Sequence, residues 1–393
     1  MIDSLYIAWR YIRYYKLRSV ILVACITLIA VLPLTLEVLL GESERLLLNR
    51  AGATPLLVGA RGSALELVMN SLYFDDEVPE AVPVQAARDV TATGLANGIP
   101  LYVRFNARGY PIVGTNLDYF DFRALRIAQG RTLVRLGECV IGAGVAEALG
   151  LAPGDSLVSS PETVFDLAGI YPLKMQVVGV LARTHTADDR AVFVDIKTAW
   201  VITGLGHGHE DLAATTDDSV ILERKEGVVT ANAKLLQYTE ITAANRNAFH
   251  FHGDTAGYPI TAVLAVPADA RSSTLLRGRY VGAQSLLQIV QPRDVIDGLL
   301  QNIFRIKYII DGVILVVGAA TLLAIVLVFA LSMRLRQREL DTIFKLGCSR
   351  LTVAKLLSAE VALVVVISAT ICLGLLQVVE YYAAGLVRVM LVG

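Results

Sequence analysis

Charge is what this sequence has least of: 18% of its residues are Asp, Glu, Lys or Arg, against about 25% in an ordinary soluble domain. The shortfall is balanced, with 35 basic and 36 acidic residues and a net charge of −1. Without a basic excess there is nothing to neutralise a run of phosphates, which excludes a nucleic-acid partner. Cysteine is scarce too. Of Cys25, Cys139, Cys348 and Cys372, two fall in apolar runs and one in a basic loop. Cys139 is left alone in the large central region, so no disulfide can form within it. No Gly-Lys dipeptide occurs anywhere, and a Walker loop needs that pair to cradle and neutralise phosphate. No G-x-S-x-G nucleophile elbow occurs either, and Cys139 has no histidine near it in sequence, so a buried structural thiol is the expected reading.

What the chain has instead is apolar length: 55% of its residues are hydrophobic. About 20 consecutive apolar residues cross a bilayer core as a helix. Three segments qualify, at 19–40, 308–333 and 361–379. The first carries Pro33, which a membrane helix with neighbours tolerates. It is too long for a signal-peptide core and continues into ESERLLLNR without a small-residue cleavage site, so a retained helix is expected.

Lys and Arg beside these segments set the orientation. Arg10, Arg13, Lys16 and Arg18 precede the first, and Arg334, Arg336, Arg338, Lys345, Arg350 and Lys355 lie between the second and third. Both groups are expected in the cytosol. Residues 1–18, with Leu5, Trp9 and Ile12 on one stripe, read as an amphipathic helix at the inner surface. The expected order is then a helix at 19–40, an extracytoplasmic domain at 41–304, a helix at 308–333, a cytosolic coupling loop at 334–360, a helix at 361–379 and an extracytoplasmic tail at 380–393. That tail, EYYAAGLVRVMLVG, is too short for another crossing and is expected as a short helix at the outer surface.

The central region is large enough for a core of its own. YPIVGTNLDYF and MQVVGVLAR read as strands bounded by Gly, Pro or Asp. GECVIGAGVAEALGLAPGDSL reads as strand, helix and turn, and DDRAVFVDIKTAWVITGL as strand then helix. The alternation implies an α+β domain. Residues 41–100 and 231–304 read as a membrane-proximal subdomain, with 101–230 inserted as a distal one. The fold class is thus a membrane protein with three transmembrane α-helices and a large α+β extracytoplasmic domain.

Four of the five histidines form two His-x-His pairs, His207/His209 and His250/His252. Imidazole suits zinc or copper, and Glu210, Asp211 or Asp254 lie close enough in sequence to complete a site. On a strand, His250 and His252 would share a face. Two solvated polar loops would read the same way.

Taken in order, these pieces resemble the MacB/FtsX type of ABC transporter permease. IAWRYIRYYKLRSVILVACITLIAV is similar to that family's first helix and its amphipathic lead. ALRIAQGRTLVRLGECVIGAGVAEALGLAPGDSL is similar to its periplasmic core, with the series GR, E-C-V-I, L-G-L and G-D. LRQRELDTIFKLGCSRLTVAKLLSAE resembles its second cytosolic loop. The resemblance implies a non-catalytic permease subunit, bound to a cytosolic ABC ATPase dimer that holds ATP-Mg, and paired with a second permease copy. It also implies a place in the bacterial inner membrane, with a periplasmic adaptor, a lipoprotein or an outer-membrane protein as further partners. Arg336, Arg338, Glu339, Leu340, Ile343, Leu346, Gly347 and Arg350 would then couple to the ATPase. The family pattern has four membrane helices where this sequence shows three. An FtsX-like regulator of an outside partner and a membrane-anchored metal-binding receptor are the alternative functions.

Overall fold

The computed structural model describes residues 2–160, 172–208, 221–225, 228–231, 239–282, 286–335, 337, 342 and 349–392. In chain order, α1 (Ile2–Tyr14), α2 (Lys16–Gly52), β1 (Leu56–Ala60), α3 (Ala64–Tyr73), β2 (Val82–Pro83) and α4 (Gln85–Ala92) come first. Next are β3 (Ala96–Ala107), β4 (Tyr110–Thr115), α5 (Leu117–Phe122), β5 (Ile127–Gly130), β6 (Glu138–Ile141), α6 (Ala143–Leu149), β7 (Ser156–Val158) and β8 (Lys174–Leu181). They are followed by β9 (Val192–Asp195), α7 (Ile196–Ile202), β10 (Gly206–Gly208), β11 (Ile221–Lys225), β12 (Val228–Ala231) and β13 (Phe249–Phe251). The chain closes with β14 (Pro259–Ile260), β15 (Ala262–Pro267), α8 (Ala270–Arg279), β16 (Leu287–Val290), α9 (Pro292–Leu335) and α10 (Arg350–Val392). Two compact units result: Met1–Leu46 with Leu299–Leu391, and Leu47–Gly298.

The second unit is built on one mixed sheet in the order β16-β1-β15-β3-β4-β9-β6-β8-β5, with β7 added on β8. Pairing is antiparallel except for β4 with β9 and β6 with β8. The strands from the two flanks of the region, β1, β15 and β16, sit together. The twelve-residue β3 is shared: residues 96–101 pair with β15 and residues 102–107 with β4. Just past the change of partner, a register shift between Val103 and Phe105 interrupts the pairing with β4, as a bulge does where a strand must bend. Leu56, Leu57 and Val58 are fully buried in succession on β1, so both faces of that strand are covered. The pieces read from sequence fall where expected: β6 then α6, β9 then α7, and strands at β4 and β8. Residues 58–77 hold the end of β1 and α3, and residues 270–300 hold α8, β16 and the start of α9.

The first unit contains α1, separated from α2 at Tyr15, and the helices that carry the apolar segments. Among the described residues three helices are long and apolar enough to cross a membrane: Lys16–Gly52, Pro292–Leu323 and Leu351–Val387. Cross-helix polar contacts order them. Arg18 Nη2 meets Glu360 Oε1 at 3.3 Å, at the starts of α2 and of the last apolar segment. Thr27 Oγ1 donates to Ser368 O, and Ser368 Oγ to Val23 O, both at 3.5 Å. Lys307 Nζ lies 3.5 Å from Glu37 Oε1, which joins the start of the second apolar segment to the end of the first. Lys307 is therefore an ion-pair partner. The tail does not form a separate surface helix; α10 continues through it to Val392, since no proline interrupts it and Gly385 alone is a weak breaker.

Candidate functional site

The last turns of α2 lie inside the α+β unit, and Arg50 is the residue that fixes them there. It is 8% exposed and its guanidinium is fully engaged. Nη1 and Nη2 donate to the two Asp188 carboxylate oxygens at 2.6 and 3.0 Å, the forked geometry that makes Arg–carboxylate pairs strong. Nη2 also reaches Tyr119 Oη at 3.2 Å, and Nε donates to the Leu72 carbonyl at the end of α3. The Arg50 head lies 5.4 Å from the Phe74 ring centroid. One turn earlier, the Leu47 carbonyl accepts from Tyr73 Oη at 2.6 Å. The end of α2 is thus tied to α3, to α5 through Tyr119, and to the loop before β9.

That loop is pre-shaped to present Asp188. Thr186 caps a short 3-10 turn, Ala187–Arg190, with its side chain accepting from Asp188 N. Its hydroxyl donates to Asp188 Oδ2 at 2.8 Å, while Tyr119 Oη donates to Oδ1 at 2.8 Å. Asp189 points the other way and accepts from the backbone N–H groups of Thr184 and His185 at 2.8 and 2.7 Å. Gly142, at the entry to α6, lies against the backbone carbonyls of Asp188 and Asp189; any Cβ there would strike them. A glycine is required at this close approach.

A second cation, Arg123, sits beside the pair. Its Nη2 donates to Thr54 Oγ1 at 2.8 Å and its head lies 5.8 Å from the Tyr119 ring centroid. Burial lowers its pKa, and the Arg50 charge lowers it further. Burial would raise the Asp188 pKa, but the charge and hydrogen bonds of Arg50, with help from Arg123 and Tyr119, hold it down at about 2. Burial pushes the Tyr119 phenol up to about 12, aided by the Asp188 charge. At neutral pH the cluster therefore contains one carboxylate, two guanidinium groups and a neutral phenol. It is a clamp with fixed protonation and nothing poised for proton transfer.

The series GR…E-C-V-I also acquires a physical meaning. Glu138 on β6 is buried and accepts from both Nη groups of Arg131, at 2.8 and 2.5 Å, and from the N–H groups of Val134 and Arg135 at 3.0 Å each. It closes the 131–137 loop on itself. Cys139 beside it is fully buried, and burial pushes its thiol up to about 12, which leaves it protonated and inert.

Three of the four histidines singled out from sequence come together. His207 on β10 and His250 on β13 are direct cross-strand partners, and His252 stands on the same face. His207 Nε2 and His252 Nε2 are 3.5 Å apart, and one ligating atom from each of the three lies within 4.8 Å of the others. His209, Glu210 and Asp211 lie outside the described residues. Asp254 caps a 3-10 turn by accepting from Ala256 N at 2.9 Å, so it is engaged locally.

The family model for the MacB-like periplasmic core domain matches residues 25–234, more than half the chain. The chain belongs to the MacB/FtsX-type ABC transporter permeases. Two solved structures resemble it. The periplasmic region of MacB from Actinobacillus actinomycetemcomitans is 11% identical, with a TM-score of 0.35, covering 63% of this chain and 93% of that one. The extracellular domain of the noncanonic ABC-type transporter YknZ from Gram-positive bacteria is 14% identical, with a TM-score of 0.33, covering 60% and 98%. A search of curated protein sequences gives no match.

For a MacB/FtsX-type permease the α+β unit is the extracytoplasmic domain and the apolar helices are its membrane part. Of the residues expected to couple to an ATPase, Arg336, Arg338, Glu339, Leu340, Ile343, Leu346 and Gly347 lie outside the described residues, and Arg350 opens α10. Sequence reading missed the Arg50 clamp. Its one local signal is an arginine ten residues past an apolar segment, set among Leu46, Leu47, Leu48 and Ala51, where a helix leaving the membrane into water has no need of it.

Proposed function

We propose that this chain is the membrane subunit of an ABC transporter in which a separate ATPase drives movement of the extracytoplasmic domain. The observation that carries the reading is the seating of α2. One helix, Lys16–Gly52, holds the first apolar segment and carries Arg50 of the buried Arg50–Asp188 clamp near its end, which supports a reading in which movement of the helix is passed to the extracytoplasmic domain. Two cross-helix ion pairs at opposite ends of α2 support an up–down–up order of the three apolar helices. With the basic residues of 1–18 and 334–360, that order supports a cytosolic N-terminus and a cytosolic coupling loop. In this reading the chain itself is not catalytic, ATP-Mg is held by the partner, and the loop at 334–360 is where the ATPase grips. A second permease copy completes the assembly in the bacterial inner membrane, and the work done is export or extraction of an envelope substrate.

The test is purification of the full chain from its native membrane in mild detergent, using an affinity tag without histidine, followed by an ATP hydrolysis assay. The expected result is co-elution of a nucleotide-hydrolysing subunit. Labelling of Cys348 by an impermeant maleimide checks the orientation; the expected result is no labelling in intact cells. Absence of any such subunit, or labelling from outside, overturns the proposal.

A further inference from the structure

We propose that His207, His250 and His252 form a zinc site that clips β10 to β13, independent of the permease reading. The two-stranded ribbon is built to present them. Residues alternate across it, so Gly206 and Gly208 share one face with Phe249 and Phe251, and the three histidines share the other. The phenylalanine rings lie directly over the two glycines, where any Cβ would meet ring carbons at 2.5 to 2.6 Å. Phe249 and Phe251 pack against the core cluster. The apolar face seats the ribbon; on the other face His207 and His250 are half-buried and His252 is exposed.

The rings are also oriented. His250 Nδ1 lies 2.9 Å from the Ala248 carbonyl. A carbonyl only accepts, so Nδ1 carries the proton and Nε2 keeps its lone pair, the tautomer that carbonyl partners impose on metal-bound imidazoles. The His252 carbonyl accepts from Tyr258 Oη at 2.7 Å, and the Tyr258 ring is held edge-on by Trp200 at 5.0 Å between centroids. The three imidazole centroids form a nearly equilateral triangle, 4.8 to 4.9 Å on a side.

Distance decides between a chance cluster and a ligand set. Zinc binds imidazole nitrogen at about 2.0–2.1 Å in tetrahedral geometry, which puts neighbouring ligand nitrogens about 3.3–3.4 Å apart. His207 Nε2 and His252 Nε2 are 3.5 Å apart. A metal fits between them with small ring movements. A shared proton between two imidazoles is the rival occupant. Three histidines leave a fourth position open to water or an incoming group, the arrangement of exchangeable rather than sealed zinc. The site joins residues 45 apart in the chain, so metal binding ties together two segments that the sheet hydrogen bonds alone hold by three residue pairs.

The test titrates Zn2+ into the full chain in detergent, purified with a tag that contains no histidine, and reads Co2+ substitution by its visible four-coordinate absorption. One equivalent per chain is expected, with Co2+ displaced by Zn2+. Loss of a partner that merely orients a ligand costs about 10–100-fold in metal affinity, so His250→Asn and His252→Asn should each weaken binding by about 100-fold or more. His185→Asn should leave it unchanged, because His185 lies in the loop beside Asp189. Absence of saturable binding in the unaltered chain would overturn the proposal, whatever the variants do. Binding that survives in both the 250 and 252 variants would overturn it equally, by placing the metal elsewhere.

Discussion

The two units of this chain bury opposite things. In the α+β unit Leu56, Leu57 and Leu101 are fully buried, and the buried charges are compensated: Arg50 by Asp188, Glu138 by Arg131, and Asp189 by backbone N–H groups. In the helical unit Leu315, Leu323 and Leu327 are 69 to 73% exposed, while Ser368, Glu360 and Thr27 are 1 to 7% exposed. The same residue types have exchanged places because the surrounding solvent differs. Hydrocarbon gives apolar side chains no reason to hide, so membrane helices associate through small and polar residues instead.

The sharpest way to break that comparison is to unbalance the Arg50–Asp188 pair, in which both side chains are buried. Asp188→Ala leaves Arg50 desolvated without a counter-charge, and removal of one partner from a buried pair costs about 3–5 kcal/mol. Denaturation of the full chain in detergent should show a loss of that size, and the double variant Arg50→Met/Asp188→Leu should lose far less. A single variant as mild as the double would mean the clamp is wetter than its burial implies. Next in size is a leucine pair. Leu101→Ala should cost about 2–5 kcal/mol by opening a cavity in the sheet core, whereas Leu327→Ala should stay within about 0.5 kcal/mol, as a surface change does. Equal losses in the two melts would place α9 inside a protein core and not in lipid.

The smallest effect is in acid. The Asp188 carboxyl titrates at about 2 in the folded chain, below its ordinary value of 3.8. Its stabilisation is therefore complete above pH 4 and is lost as pH falls toward 2, by about 2 kcal/mol in all. Tyr119 acts with the opposite sense: its raised value, about 12 against 10.0, keeps its contribution intact below pH 10 and removes it above. An acid melt of the Asp188→Asn variant should lack the low-pH step that the unaltered chain shows.

Much of the fold was legible because its signals are local. Apolar length marked the helices, the GECVIGAGVAEALGLAPGDSL stretch showed β6, α6 and the turn after them, and apolar runs bounded by Gly, Pro or Asp marked β4 and β8. The clamp was not legible, since Arg50 and Asp188 are 138 residues apart and neither stretch has a periodicity pointing at the other. The histidines were half legible. The His-x-His spacing singled out both pairs, but the register that sets His207 opposite His250 is a tertiary fact. Of the three carboxylates offered as possible ligands, Asp254 sits just before a short turn and caps it.

The chain leaves β16 to enter α9 only a few residues from where it arrives on β1 out of α2, and these strands are neighbours, with Leu57 opposite Val290. Both leads therefore attach at the same end of one antiparallel ribbon on the sheet's rim. Leads that pull together put no load on the bonds between those strands. Leads that spread apart open the ribbon like a zipper, one rung at a time from the Leu57–Val290 end, with four paired positions to resist them. Within the sheet, that ribbon is stiff against a pull along its strands and compliant against one that parts them at the Leu57–Val290 end.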